Sequence, residues 1–134
     1  MVAFEVGTRT LQGESTAIGH AGPFTLTVDR SVRAGGGGLG FGGGQLLYLA
    51  VAACVSNDLF REAEKEDIVL HRVEVTVSGE FGAVSGPVGY AVDVEGDASD
   101  DRLRALVSHV DALAEVPNSL RAGTEVRLTA VTIS

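Results

Sequence analysis

Residues 42–67 read GGGQLLYLAVAACVSNDLFREAEKED, and this stretch decides the fold. From Leu46 to Val55 only Tyr48 carries a strongly polar atom; Leu46, Leu47, Leu49, Ala50, Val51, Ala52, Ala53, Cys54 and Val55 are apolar. A bilayer span needs roughly 20 such residues. The run is too short for that and predicts a helix enclosed on all sides in a protein core. Beyond it the pattern turns amphipathic. Leu59, Phe60 and Ala63 continue an apolar face, while Asp58, Arg61, Glu62, Glu64, Lys65, Glu66 and Asp67 are expected in water. One helix is thus predicted to start deep and to surface at its end. Cys54, the chain's single cysteine, stands at the change from one regime to the other.

The chain around this helix has 134 residues, the length of one domain. We therefore expect a single domain over residues 1–134. Its formal net charge of −8 argues against nucleic acid and against anionic membrane surfaces as partners, because both require a basic face. The N-terminal MVAFEVGTRT lacks the basic and apolar regions of a secretory leader. One cysteine cannot form an internal disulfide, which fits a reducing, cytoplasmic setting. His20, His71 and His109 have no metal-ligand spacing, and no cofactor motif is present, so neither metal nor cofactor is expected.

Working outward, Val2–Thr8 and Thr16–Ile18 read as short strands. Residues 24–28 (FTLTV) alternate large apolar residues with threonine, as a half-buried strand does. Gly22-Pro23 before it is a turn signal. Residues 35–44 (GGGGLGFGGG) predict a mobile loop unless a partner chain or ligand holds it, because glycine loses the most backbone freedom on ordering. After the helix, residues 69–77 (VLHRVEVTV) alternate, with Val69, His71, Val73, Val75 and Val77 expected on one face. Residues 81–87 form a hairpin connection and residues 88–95 a returning strand. Ser99 is a helix N-cap with Asp100 and Asp101 in the first turn. Leu103, Leu106, Val107, Val110 and Leu113 then recur at helical spacing. Residues 117–123 make a connection, and residues 126–133 (VRLTAVTI) are expected as the last strand. Strands, long helix, hairpin, helix and strand in that order define an α+β fold with antiparallel sheet.

Three motifs bear on chemistry. Gly38, Gly40 and Gly43 satisfy G-x-G-x-x-G, but almost any glycine pattern matches this run. No strand leads straight into it, and a hairpin rather than a βαβ unit follows, which argues against a dinucleotide site. Cys54 is either a small buried hydrophobe or a reactive thiol, which needs a nearby cation to favour the thiolate. Arg61, two turns on, is the first local one; Arg9, Arg30, Arg33 and Arg121 could arrive only through the fold. His71, on an apolar strand face, reads as a satisfied, partly buried histidine. The acidic stretches Glu62–Asp67 and Glu95–Asp101 read as solvated surface.

Taken together, residues 43–47 (GGQLL) and 52–54 (AAC) resemble the central-helix signature of the OsmC/Ohr family, the osmotically induced and organic-hydroperoxide-resistance proteins. Residues 25–29 (TLTVD) with the glycine-rich loop, Val73–Val77, Asn118–Arg121 and Gly123–Val126 are similar to neighbouring parts of that family. The resemblance runs from about Thr8 to Ile133. It implies two chains intertwined in a homodimer, with antiparallel sheets wrapped around two long central helices, which would cover the apolar first half of the helix. In active members a peroxidatic cysteine attacks the peroxide and a second cysteine resolves the sulfenic acid. An arginine and a glutamate hold the thiolate poised.

Carried over by position, Cys54 fits the peroxidatic cysteine. The resolving cysteine falls at about Ala114, the glutamate at Gly44, and the arginine in a turn that here reads LQGES (residues 11–15). Three of the four parts are therefore replaced. Two functions follow from the resemblance. One is thiol-dependent reduction of organic hydroperoxides through Cys54, slow and dependent on an external thiol reductant. The other is a catalytically degenerate member that binds a small apolar ligand in the dimer pocket.

Overall fold

The computed structural model describes residues 1–134. By its internal contacts the chain divides into two compact units, Met1–Tyr48 and Leu49–Ser134, with the boundary inside the long helix α1 (Gly43–Lys65).

In the first unit, β1 (Gly7–Thr10), β2 (Ala17–Ala21) and β3 (Phe24–Val28) form an antiparallel meander in that order. The first two strands lie further along the chain than their sequence pattern predicts, and residues 1–6 are outside the sheet. Ala21 pairs with Phe24, so Gly22 and Pro23 alone make the β2–β3 turn. Gly22 takes the left-handed backbone (φ 57°) that a two-residue hairpin requires.

The glycine-rich run after β3 is held by the chain itself. Asp29, only 3% exposed, accepts hydrogen bonds from Thr16 Oγ1 (3.0 Å) and from the amides of Arg30 (2.8 Å), Gly37 (3.2 Å) and Leu39 (3.2 Å). Burial alone would raise the pKa of this carboxyl. The hydrogen bonds from Gly37, Leu39, Thr16 and Arg30 together outweigh it and hold the pKa below the ordinary 3.8. Phe41 exchanges backbone hydrogen bonds with Thr27 and Asp29. Glycine is obligatory at two points where the loop touches β3 and its continuation. A Cβ at Gly36 would lie 2.2 Å from the Arg30 carbonyl oxygen, and one at Gly40 2.2 Å from that of Thr27. The amides of Gly37 and Leu39 are thus taken by Asp29, and those of Gly36 and Gly38 by the carbonyls of Ser31 and Arg30.

In the second unit, β4 (Leu70–Ser78) and β5 (Gly89–Gly96) form an antiparallel hairpin, followed by α2 (Asp100–Leu113) and α3 (Glu115–Ala122). Ser99 caps α2 by accepting the Arg102 amide at 3.2 Å, as its sequence predicts. Gly123, with φ 69°, ends α3. Val55, Leu59, Ala63, Ile68, Leu103, Leu106, Val110 and Ala114 form the core, and Val73, Val75, Val92 and Val94 of the hairpin pack against it. Tyr90 of β5 donates to Asp111 of α2, and Arg121 of α3 reaches the same carboxylate at 2.7 Å, tying three elements together. Burial, then the Asp111 hydrogen bond, pushes the Tyr90 hydroxyl up to about 12.

Three expectations are corrected here. Asp58 and Glu62 of α1, expected in water, are buried together with Val51, Val55, Leu59 and Ala63, while Leu49 in the apolar first half is half-exposed in the single chain. His71 is not on the valine face. A register irregularity between Leu70 and Arg72 turns it outward, where it pairs with Asp97 at 2.8 Å, and Leu70 takes the inward place. Residues 126–133 form no strand: neither sheet pairs with them, and a strand exists only through its neighbour's backbone.

Candidate functional site

Cys54 lies in the middle of α1, partly buried, and packs against the core cluster of the second unit. Starting from Val51 and Val55, a 3.6-residue period places Asp58, Leu59, Glu62 and Ala63 on one buried stripe. Two carboxylates therefore lie where only apolar residues were expected, and Phe60 points outward instead. Cations on the same helix, together with α2, make this burial tolerable. Arg61 Nη1 is 3.2 Å from Asp58 Oδ1, and its Nε is 3.0 Å from Glu62 Oε2. Lys65 Nζ reaches Glu62 Oε2 at 2.8 Å, and His109 Nε2 of α2 meets Glu62 Oε1 at 2.9 Å. Hydrogen bonds from Lys65, His109 and Arg61 bring the Glu62 carboxyl down to about 2.

The Cys54 thiol joins this chain of charges. Its Sγ donates toward Asp58 Oδ2 at 3.8 Å. Asp58 is thus shared by the thiol on one oxygen and the Arg61 guanidinium on the other. Positions 54, 58 and 61 follow one another along one helix face at i, i+4 and i+7, which is what brings them together.

The other residues singled out by sequence fall elsewhere. Ala114 is fully buried at the α2–α3 junction, in the same apolar cluster against which Cys54 packs. Gly44 lies in the first turn of α1, and residues 11–15 form the exposed β1–β2 turn. Arg121 is engaged by Asp111 and Asn118. His20 lines an apolar groove of about 310 Å³ in the first unit, beside Phe24, Leu26 and Val28. His109 is drawn to Glu62. Sequence reasoning missed Asp58, Glu62 and Asp29. The helical period starting from Val51 was the available signal for the first two.

Residues 35–129, more than half of the chain, match the family model of OsmC-like proteins. The chain belongs to the OsmC family. Solved OsmC-family structures share its fold at low sequence identity. The OsmC-like protein of Mycoplasma pneumoniae superposes with a TM-score of 0.75 at 16% identity, over 90% of this chain and 88% of the other. An organic hydroperoxide resistance protein OsmC from Legionella pneumophila gives 0.66 at 17% identity over 90% of each chain. The organic hydroperoxide resistance protein OhrB of Bacillus subtilis gives 0.62 at 18%, covering 90% and 91%. No curated protein matches this OsmC-family chain in sequence. None of its helices is long and apolar enough to cross a membrane.

Proposed function

We propose that this OsmC-family protein reduces organic hydroperoxides through Cys54, slowly, with an external thiol as reductant, in the reducing interior of the cell. The observation that carries the reading is the position of Cys54. The chain's only thiol sits partly exposed on the long helix, at the edge of an apolar cluster suited to an organic substituent. In the reaction Cys54 Sγ attacks the distal peroxide oxygen. The O–O bond breaks, an S–O bond forms, and the leaving alkoxide takes the thiol proton to become an alcohol. The resulting sulfenic acid condenses with one external thiol, releasing water, and a second thiol exchanges with the mixed disulfide to restore Cys54. By the family resemblance the internal resolving cysteine falls at about Ala114, and with no second cysteine in the chain an external thiol takes its part.

The working unit is proposed to be a homodimer in which each chain is one OsmC-like domain. Half-exposed Leu49 on α1 and the exposed apolar residues Val2, Phe4, Val126, Leu128 and Ile133 support a second copy as their cover. Mass spectrometry after one equivalent of cumene hydroperoxide tests the chemistry. Sulfenic acid on Cys54 is the expected product, and an unmodified thiol counts against the reading.

A further inference from the structure

We infer that Asp58 restrains Cys54, acting as a positioning residue that holds the thiol by its S–H on one carboxylate oxygen while engaging Arg61 on the other. The inference rests on the reading of Cys54 as the reacting thiol and adds the device that sets its rate. Asp58 is 8% exposed, its Oδ2 lies 3.8 Å from Cys54 Sγ, and its Oδ1 is 3.2 Å from Arg61 Nη1. A carboxylate at that distance accepts the S–H and opposes a second negative charge on the sulfur. The thiolate is the nucleophile, so the same contact slows attack. Arg61 is the cation one turn beyond, and it is divided between Asp58 and Glu62.

The elements packed around α1 do not replace it. Glu115 at the start of α3 adds its negative charge to the field at Arg61. His109 from α2 and Lys65 from α1 are taken by Glu62, and Tyr90 from β5 by Asp111. From β4, Val73 and Val75 meet the core, while His71 is drawn outward to Asp97. The charged group in contact with the sulfur is thus Asp58 itself, and it is a single substitution away from neutral.

The test is the rate of Cys54 alkylation by iodoacetamide as a function of pH, on the intact protein. Asp58→Asn keeps the shape and removes the charge. It is expected to raise the rate at pH 7 by about tenfold and to displace the profile to lower pH, since below the thiol pKa a tenfold larger thiolate fraction corresponds to about one pH unit. Asp58→Glu should keep the wild-type profile. Should Asp58→Asn not fold, Arg61→Gln serves in its place, because the Arg61 side chain is half-exposed. It leaves the Asp58 carboxylate beside the sulfur uncompensated, and is therefore expected to slow alkylation and move the profile to higher pH. An unchanged or slower Asp58→Asn, or an Arg61→Gln profile that does not move, overturns the inference. Alkylation needs no peroxide, so the two readings fail separately. Faster alkylation without hydroperoxide turnover keeps the restraint and removes the proposed reaction, whereas turnover with unmoved alkylation does the reverse.

Discussion

Glu62 Oε1 on α1 and His109 Nε2 on α2 lie 2.9 Å apart, 47 residues apart in the chain. A carboxylate on a buried helical stripe is thereby joined to the second helix and surrounded by Arg61 and Lys65 as well. Its folded pKa of about 2 lies below the ordinary 4.5. A depressed carboxylate stabilises the fold above its unfolded pKa, and that contribution is lost as pH falls through the folded value. Stability should therefore decline between about pH 4.5 and 2. Glu62→Gln should lower the denaturation midpoint at pH 7 and make the decline below pH 4.5 shallower. Urea unfolding across that range checks this, and equal slopes for the two proteins would contradict it.

Asp29 gathers the glycine-rich loop through three amides and the Thr16 hydroxyl. Asp29→Ala leaves those donors without their acceptor. Amide exchange at Gly37 and Leu39 should accelerate strongly, and melting should begin at lower temperature. Wild-type protection at both amides would rule out the clasp.

Leu59 is fully buried in the second unit's core. Leu59→Ala should cost about 2–5 kcal/mol, the range for deleting a large buried aliphatic side chain. A loss below about 1 kcal/mol in urea unfolding would mean that the site collapses without a cavity or is not enclosed.

Much of this fold can be read from the sequence because its signals are local. Ser99 followed by two aspartates places the start of α2, the alternation of Val73, Val75 and Val77 gives β4, and the length of the apolar run gives α1. What the sequence hides depends in part on partners far along the chain and in part on which helix face is buried. Asp58 and Glu62 read as solvent-facing because charge argues for water, and only the arrival of His109 and the fold of Arg61 and Lys65 make their burial tolerable. His71 reads as inward because a bulge leaves no mark in an alternating pattern. The apolar alternation of residues 126–133 announces a strand but not which sheet would accept it. Cys54 is legible as a residue, but its 3.8 Å contact with Asp58 emerges only from the helix geometry.

The dimer reading has its own check. Sedimentation should find a dimer with no folded monomer at nanomolar concentration, because Leu49 and the apolar termini need cover. Leu49→Asp should abolish folding by placing an unpaired charge in that contact. A folded monomer in either protein would refute it.

The thiol mechanism is tested most directly by cumene hydroperoxide consumption with a dithiol reductant, wild type against Cys54→Ser. Slow turnover is expected from the wild-type protein and none from Cys54→Ser, with the variant still dimeric by sedimentation. Turnover that survives the substitution would contradict the thiol mechanism.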